Sequence, residues 1–237
     1  MTIPTWPIIM FNTKQGVMTN VRLRQAAQAA IVPEDMMAAT FSDRSLWKLE
    51  GSIFPEATEW WIKNPEGYNQ HNMEKAKSLV KESGYKGEPV RLMAAPQYDY
   101  MIKVGQVAYQ NLTDAGINVD LKVLDWATVL QVRTKPPEWE GFVTGEGGET
   151  DPSQVNVFNK DYPGWWDSPD KRAVMDQFVT EPDHQKRLVI WKKLHGLFYS
   201  EAPSLKVGEF YSPFAMKKDL TGYSPMPWPA FWNVKRG

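Results

Sequence analysis

Three acidic residues stand among four glycines in the stretch GFVTGEGGETDP, residues 141–152: Glu146, Glu149 and Asp151. Two such carboxylates can work as an acid/base pair, because glycosidases place two carboxylates about 5–10 Å apart. One carboxylate can also bind an ammonium group, since a glycine such as Gly148 lets a ligand approach the main chain closely. In a third interpretation the acids cap the helix after a solvated turn. Ligand binding fits best, because an enclosed charged hydrogen bond contributes about 1.5–3 kcal/mol.

Other catalytic and metal-binding patterns are missing from the sequence. It contains no G-x-S-x-G, no H-E-x-x-H and no G-K-[ST] after a glycine loop. Cysteine is absent and the calcium-loop spacing does not occur, while the three histidines are scattered. We therefore expect no metal, no cofactor and no enzymatic activity. The alternative is a carbohydrate-active hydrolase that uses the three acids of the loop.

Composition and charge exclude further classes of function. The chain has 237 residues, of which 42% are hydrophobic and 23% charged, as is typical of a globular protein. With a net charge of −1 and no basic stripe, we expect no nucleic-acid partner. No apolar run approaches the roughly 20 residues of a spanning helix, and the first residues lack the pattern of a signal peptide. If the protein is exported, its targeting segment lies outside this sequence.

Alternating strand and helix patterns in the sequence predict where the acidic loop lies in the fold. Apolar periodicity predicts strands over 89–95, 117–123 and 139–145. It predicts helices over 21–31, from Pro33 onward, and over 73–83, 98–115, 126–134, 169–180 and 184–199. This order is typical of an α/β fold. The loop then follows the carboxyl end of a strand, where open α/β sheets bind their ligands.

Aromatic residues are the second unusual feature. The chain has eleven tryptophans, and we expect most of them to pack in the core, with the rest available to stack on sugars or on apolar ligand groups. Tyr98 and Tyr100 open a predicted helix and can offer hydroxyls or a stacking face. From about residue 202 the chain is rich in Trp and Pro without helical periodicity. A pure interaction module, a third possible function, would bury Trp228 and Trp232 of this tail against a partner protein.

Five stretches of the chain follow one another in a familiar order: FNTKQGVMTNVRLRQAAQAAI, YNQHNMEKAKSLVKESGY, LTDAGINVDLKVLDWATVL, GEGGETDP and DHQKRLVIWKKLHGLFYSEAPSL. They resemble motifs that occur in the same order in ABC-importer extracellular solute-binding proteins of the dipeptide, oligopeptide and nickel class, solute-binding family 5. The resemblance covers nearly all of the chain.

This resemblance implies a fold and a set of partners. Members are longer than this chain and bind a solute between two lobes. It implies that residues 1–202 form the C-terminal ligand-binding lobe, a type II periplasmic-binding-protein-like α/β unit with a mixed sheet and flanking helices. Residues 203–237 would then return to pack on a missing N-terminal lobe. It also implies a periplasmic or cell-surface location and delivery of the solute to an ABC permease in the membrane.

The resemblance also implies roles for particular residues. In peptide-binding members the acid of a GWGGD motif pairs with the α-amino group of the ligand, and that position is Glu149 here. The motif's tryptophan is replaced by Glu146, which implies a more cationic or more polar ligand. The arginine that dipeptide binders use for the peptide carboxylate would fall near Ala95, and Arg91 lies too early in its strand. We therefore predict a small solute, namely a peptide, an amine or an oligosaccharide, bound by Glu149, Glu146, Gly148, Asp151, Tyr98 and Tyr100.

Overall fold

A mixed β-sheet with helices packed against it organises the chain in the computed structural model, which describes residues 4–213, 215–224 and 231–237. The strands in these ranges are β1 (Trp6–Phe11), β2 (Trp47–Lys48), β3 (Val90–Ala94), β4 (Val119–Val123), β5 (Gly141–Glu146), β6 (Ser204–Lys206), β7 (Glu209–Phe210), β8 (Leu220–Thr221) and β9 (Lys235–Arg236). The α-helices are α1 (Val21–Ala30), α2 (Pro33–Thr40), α3 (Met73–Glu82), α4 (Asp99–Asp114), α5 (Trp126–Val132), α6 (Pro169–Thr180) and α7 (His184–Glu201).

The main sheet has five strands in the order β4-β3-β5-β1-β6. Strand β3 runs parallel to β4 and β5, whereas β1 runs antiparallel to β5 and β6. Helix α1 packs on α3, α2 on α4, and α6 on α7. The predicted α/β class with a mixed sheet and flanking helices is confirmed.

Local sequence signals set the helix boundaries. The Asn20 side chain accepts hydrogen bonds from the backbone of the first turn of α1, and Asn72 does the same for α3. Gly84 and Gly116 follow α3 and α4 with φ of +73° and +90°, a conformation that suits glycine at the end of a helix. The predicted boundaries therefore agree with the structure to within about two residues, the usual uncertainty of a helix end.

Strand β1 is absent from the sequence-based prediction. Its six residues, WPIIMF, are all buried between β5 and β6. A strand buried on both faces shows no polar alternation, and a proline such as Pro7 usually argues against a central strand. Here Pro7 lies opposite Gly145, and its carbonyl accepts a 3.0 Å hydrogen bond from the Val207 amide.

The first residues beyond 202, the predicted domain boundary, pair with strands that precede it. Residues Ser204–Lys206 are buried and pair with β1, and Glu209–Phe210 pairs with Trp47–Lys48. The chain up to residue 210 therefore belongs to this lobe. That the later residues pack on another lobe stays a prediction. Trp228 lies outside the described residues, whereas Trp232 is 78% exposed.

Most tryptophans among the described residues are packing residues, as expected. Six of them are at most 4% exposed: Trp6, Trp47, Trp60, Trp139, Trp166 and Trp191. They join a core formed from both faces of the main sheet and the surrounding helices. No helix in the described part of the chain is long and apolar enough to cross a membrane.

Candidate functional site

The acidic loop leaves the carboxyl end of β5 and lies against the first residues of the chain that the structure describes. Gly147 has φ +148°, and a Cβ atom there would lie 2.7 Å from the Pro4 carbonyl oxygen. A Cβ atom on Gly145 would lie 2.8 Å from the Tyr100 hydroxyl. At these two positions glycine is required for packing within the lobe. Gly148 is half-buried with φ +95°, also a conformation that favours glycine.

Glu146, the last residue of β5, is a buried acid that is only partly hydrogen-bonded. It is 4% exposed, and its Oε2 accepts a 2.9 Å hydrogen bond from Asn156 Nδ2. No donor in the described residues reaches its buried Oε1. Burial and the negative charge of Glu149 raise the pKa of Glu146 to about 8, although Asn156 and the positive charge of Arg133 oppose that rise.

Glu149 lies beside Glu146 and is half-buried. Burial raises its pKa above the ordinary value, while the main-chain N–H groups of Gly147 and of Glu149 itself act in the opposite direction. The side chains of Glu146 and Glu149 are within hydrogen-bonding reach of each other. Glycosidases separate their two carboxylates by about 5 Å or more. Direct contact between the two acids therefore does not match the hydrolase alternative.

Asp151 has a different environment from the two glutamates. Its carboxylate accepts hydrogen bonds from the Ser153 backbone and hydroxyl at 2.9 and 2.7 Å and from Arg187 of α7 at 2.7 Å. Gln154 completes a capping box over this turn. Burial raises the pKa of Asp151, but the bonds from Ser153 and Arg187 outweigh it and lower the pKa overall. These bonds occupy the Asp151 carboxylate within the lobe, which agrees with the capping interpretation and does not support a role in ligand binding.

Trp60, which lies far from the acidic loop in sequence, also holds this loop in place. Trp60 Nε1 donates a 3.0 Å hydrogen bond to the Thr150 carbonyl, and the guanidinium carbon of Arg187 lies 5.4 Å from the Trp60 ring centre. The acidic loop is therefore a held element and not a free solvated turn.

Tyr98 and Tyr100 begin a strip of aromatic rings beside the acids. Their ring centres are 6.0 Å apart, and Tyr98 meets Trp126 edge-on at the same distance. Tyr100 lies 5.2 Å from Phe210 on the other side. Burial, with smaller effects from Tyr98 and Glu146, raises the pKa of Tyr100, so this hydroxyl stays neutral. Tyr98 is 44% exposed.

Arg133, directly after α5, is a site residue that the sequence analysis missed. Its Nη1 donates a 2.9 Å hydrogen bond to the Tyr162 hydroxyl, and its guanidinium carbon lies 5.2–5.8 Å from the rings of Tyr162, Phe142 and Trp126. Its buried Nε has no acceptor, and no carboxylate of the described residues lies within ion-pairing distance. The available sequence signal is its place at the end of WATVLQVR, a helix whose start is capped by Asp125.

The candidate site combines acidic and basic side chains that act on each other electrostatically. Glu146 and Glu149 form a negative pole, and Arg133, which acts on the pKa of Glu146, forms a positive pole with unused hydrogen-bonding capacity. Aromatic rings lie next to both. Within the described ranges no group of three or more His, Cys, Asp or Glu side chains is placed to hold a metal ion. This geometry suits a small zwitterion with an apolar side chain.

Similar proteins have been characterised by sequence and structure. The chain is 26% identical over 250 residues to a Sinorhizobium fredii protein named "Probable peptide ABC transporter periplasmic-binding protein y4tO", a match that covers 96% of this chain and 45% of that protein. The Escherichia coli murein tripeptide binding protein MppA superposes with a TM-score of 0.83 at 18% identity, over 99% of this chain and 49% of MppA. The Listeria monocytogenes ABC transporter substrate binding protein CtaP superposes with a TM-score of 0.83 at 19% identity, over 98% of this chain and 50% of CtaP.

These comparisons confirm the predicted fold, that of type II periplasmic binding proteins, and the chain spans about half the length of the relatives it matches. The family model of bacterial extracellular solute-binding proteins, family 5, matches residues 3–168. Because that match covers more than half of the chain, the chain belongs to the bacterial extracellular solute-binding proteins of family 5.

Proposed function

We propose that this chain is the ligand-binding lobe of a substrate-binding protein that captures a short peptide and delivers it to an ABC permease. The observation that carries the proposal is the pairing of an acidic pole, Glu146 with Glu149, and an unsatisfied cation, Arg133, at one end of the sheet. The S. fredii relative, named as a peptide-transport protein, and MppA, a murein tripeptide binding protein, support a peptide over an oligosaccharide.

In this proposal Glu149 binds the α-amino group of the peptide. It is the more exposed of the two glutamates, and a charged hydrogen bond in an enclosed site contributes about 1.5–3 kcal/mol. Arg133 binds the carboxylate of the peptide, because its guanidinium is charged and its Nε is a buried donor without an acceptor among the described residues. Tyr98 and Trp126 contact an apolar side chain of the peptide through their exposed ring surface.

A second lobe would close over this surface. The Thr5 amide donates to the Phe210 carbonyl at 3.0 Å, and the Phe210 amide donates to the Thr5 carbonyl at 2.8 Å. Two chain segments therefore run side by side next to the acidic loop, as hinge segments between lobes do. We infer that the second lobe connects here and that the whole protein acts in the periplasm or at the cell surface.

Peptide libraries test this function. A tripeptide library with free amino termini is mixed with the protein, and bound species are identified by native mass spectrometry, in parallel with the same library after N-acetylation. We expect binding of the free library only, and loss of that preference in Glu149→Ala. Glu56→Ala, which removes an exposed glutamate, is the matched control and keeps the preference. Equal binding of both libraries to the unmodified protein would overturn the proposal.

A further inference from the structure

The two carboxyl groups of Glu146 and Glu149 pose an electrostatic problem in the ligand-free lobe. Glu146 is 4% exposed and Glu149 is half-buried, and the two side chains are close enough to hydrogen-bond. Two ionised carboxylates in contact repel each other, and a buried carboxylate oxygen without a donor loses its solvation. Glu146 Oε1 is such an oxygen, whereas its Oε2 is satisfied by Asn156.

The neighbours of Glu146 do not resolve this problem. Arg133, after α5, forms no ion pair with it among the described residues. Tyr100 of α4 and Tyr162 of the loop after β5 feel the charge of Glu146, but neither hydroxyl hydrogen-bonds to it. Tyr162 instead accepts a hydrogen bond from Arg133. A single proton on Oε1 would remove the repulsion and supply the missing hydrogen bond.

We propose that Glu146 is a carboxylic acid in the ligand-free lobe, and that its Oε1–H group donates a hydrogen bond to the Glu149 carboxylate. The pair then carries one negative charge, and Glu149 is held in a single orientation. The elevated pKa of Glu146, about 8, agrees with this arrangement at neutral pH. Glu146 is thus a positioning residue, and it differs from the tryptophan that the resembled motif carries at this place.

The role in binding rests on the proposed function. A fixed, singly charged acid pair matches one ammonium group. When Glu146 loses its proton at high pH, the two acids repel each other and Glu149 leaves its orientation. The Glu146→Gln variant copies the protonated acid, because its amide N–H can donate to Glu149 while its oxygen accepts from Asn156.

The decisive experiment needs no ligand. The carboxyl carbons of the glutamates are followed by carbon-13 NMR from pH 4 to 10, and Glu146→Gln identifies the Glu146 signal. We expect a midpoint near 8, as the structure indicates, and a lower one in Glu149→Gln, which removes the neighbouring charge. A Glu146 carboxyl that titrates below about pH 5, near its ordinary range, would overturn the proposal.

Binding adds a second readout. At pH 6 Glu146→Gln, whose amide can donate to Glu149, should bind the selected tripeptide about tenfold more tightly than Glu146→Leu, which has no donor. Equal affinities of these two variants at pH 6 would contradict the proposal, because they would show that a donor at this position does not position Glu149. If no tripeptide binds even to the unmodified protein, the proposed function fails, and the ligand-free titration still decides where the proton is.

Discussion

Arg133 Nη1 donates a 2.9 Å hydrogen bond to the Tyr162 hydroxyl, while Nε of the same guanidinium is buried without an acceptor. A ligand oxygen that reaches Nε would therefore satisfy a group that the free lobe leaves unpaired. We expect Arg133→Gln to bind peptides with a free carboxylate about tenfold more weakly, since a charged hydrogen bond contributes about 1.5–3 kcal/mol. Isothermal titration calorimetry with the selected tripeptide measures this loss.

Two controls make the Arg133 experiment specific. The C-terminally amidated tripeptide lacks the carboxylate, so its affinity should change little in Arg133→Gln. Arg172→Gln removes a half-exposed arginine of α6 that pairs with Asp167 and should leave both affinities unchanged. An equal loss for the free and amidated peptides would assign Arg133 to the packing around Tyr162 instead of to the ligand.

Asp151 is expected to stabilise the loop without touching the ligand. It caps the 152–154 turn and pairs with Arg187, and both side chains are about one quarter exposed. We predict that Asp151→Ala lowers the free energy of unfolding by about 1–2 kcal/mol, the usual cost of losing a cap. Urea denaturation measures the change. Peptide affinity should fall by less than about twofold, and a larger loss with intact stability would return Asp151 to the binding site.

Sequence patterns predicted the helices and the strands between them because each carries its own local signal. Caps such as Asn20 and Asn72, stops such as Gly84, and the alternation in 119–123 depend on neighbours in sequence. Strand β1 depends instead on burial by β5 and β6 from distant parts of the chain. No local pattern distinguishes such an apolar run from other buried segments. The pairing of Ser204–Lys206 with β1 depends on the same distant contacts.

The candidate site was predictable only in part. The sequence located Glu146 and Glu149 together, because they share one loop, but it could not separate them from Asp151, whose partner Arg187 lies on a distant helix. Arg133 was missed because its importance comes from a buried atom without an acceptor. Such an atom is recognised only in three dimensions.

The elevated pKa of Glu146 has a consequence for stability. The folded chain keeps the proton up to about pH 8, whereas the unfolded chain releases it near the ordinary value of 4.5. The unfolded state therefore binds fewer protons between these values, and stability falls as pH rises through this window. Glu146→Gln does not titrate at this position. We therefore expect its free energy of unfolding to rise relative to that of the unmodified protein by on the order of a few kcal/mol between pH 5 and pH 9.

Chemical denaturation at pH 5, 7 and 9 measures both proteins under the same conditions. Other titrating groups are common to the two, so their effects cancel in the difference. A difference in unfolding free energy that stays constant across this range would show that Glu146 is ionised in the folded chain, as it is in the unfolded one.

His195 gives the opposite pH dependence. It is 2% exposed, and burial, with a smaller effect from Lys206, lowers its pKa from 6.5 to about 3. Between these values the unfolded chain binds a proton that the folded chain does not, so stability is lost as pH falls from 6.5 toward 3. When the pH falls from 7 to 4, the free energy of unfolding of His195→Gln should decrease less than that of the unmodified protein, by a few kcal/mol. Thermal unfolding at both pH values measures this difference. Equal losses of stability in the two proteins would show that His195 does not cause the pH dependence.

The most direct test of peptide binding by the acidic loop is native mass spectrometry of the protein purified gently from its natural source, to identify a co-purified ligand and its mass. We expect a peptide adduct that disappears in Glu149→Ala and persists in Glu56→Ala. A neutral oligosaccharide adduct that survives Glu149→Ala would contradict it, and would place the ligand on the rings of Tyr98 and Trp126 instead of on the acidic pole.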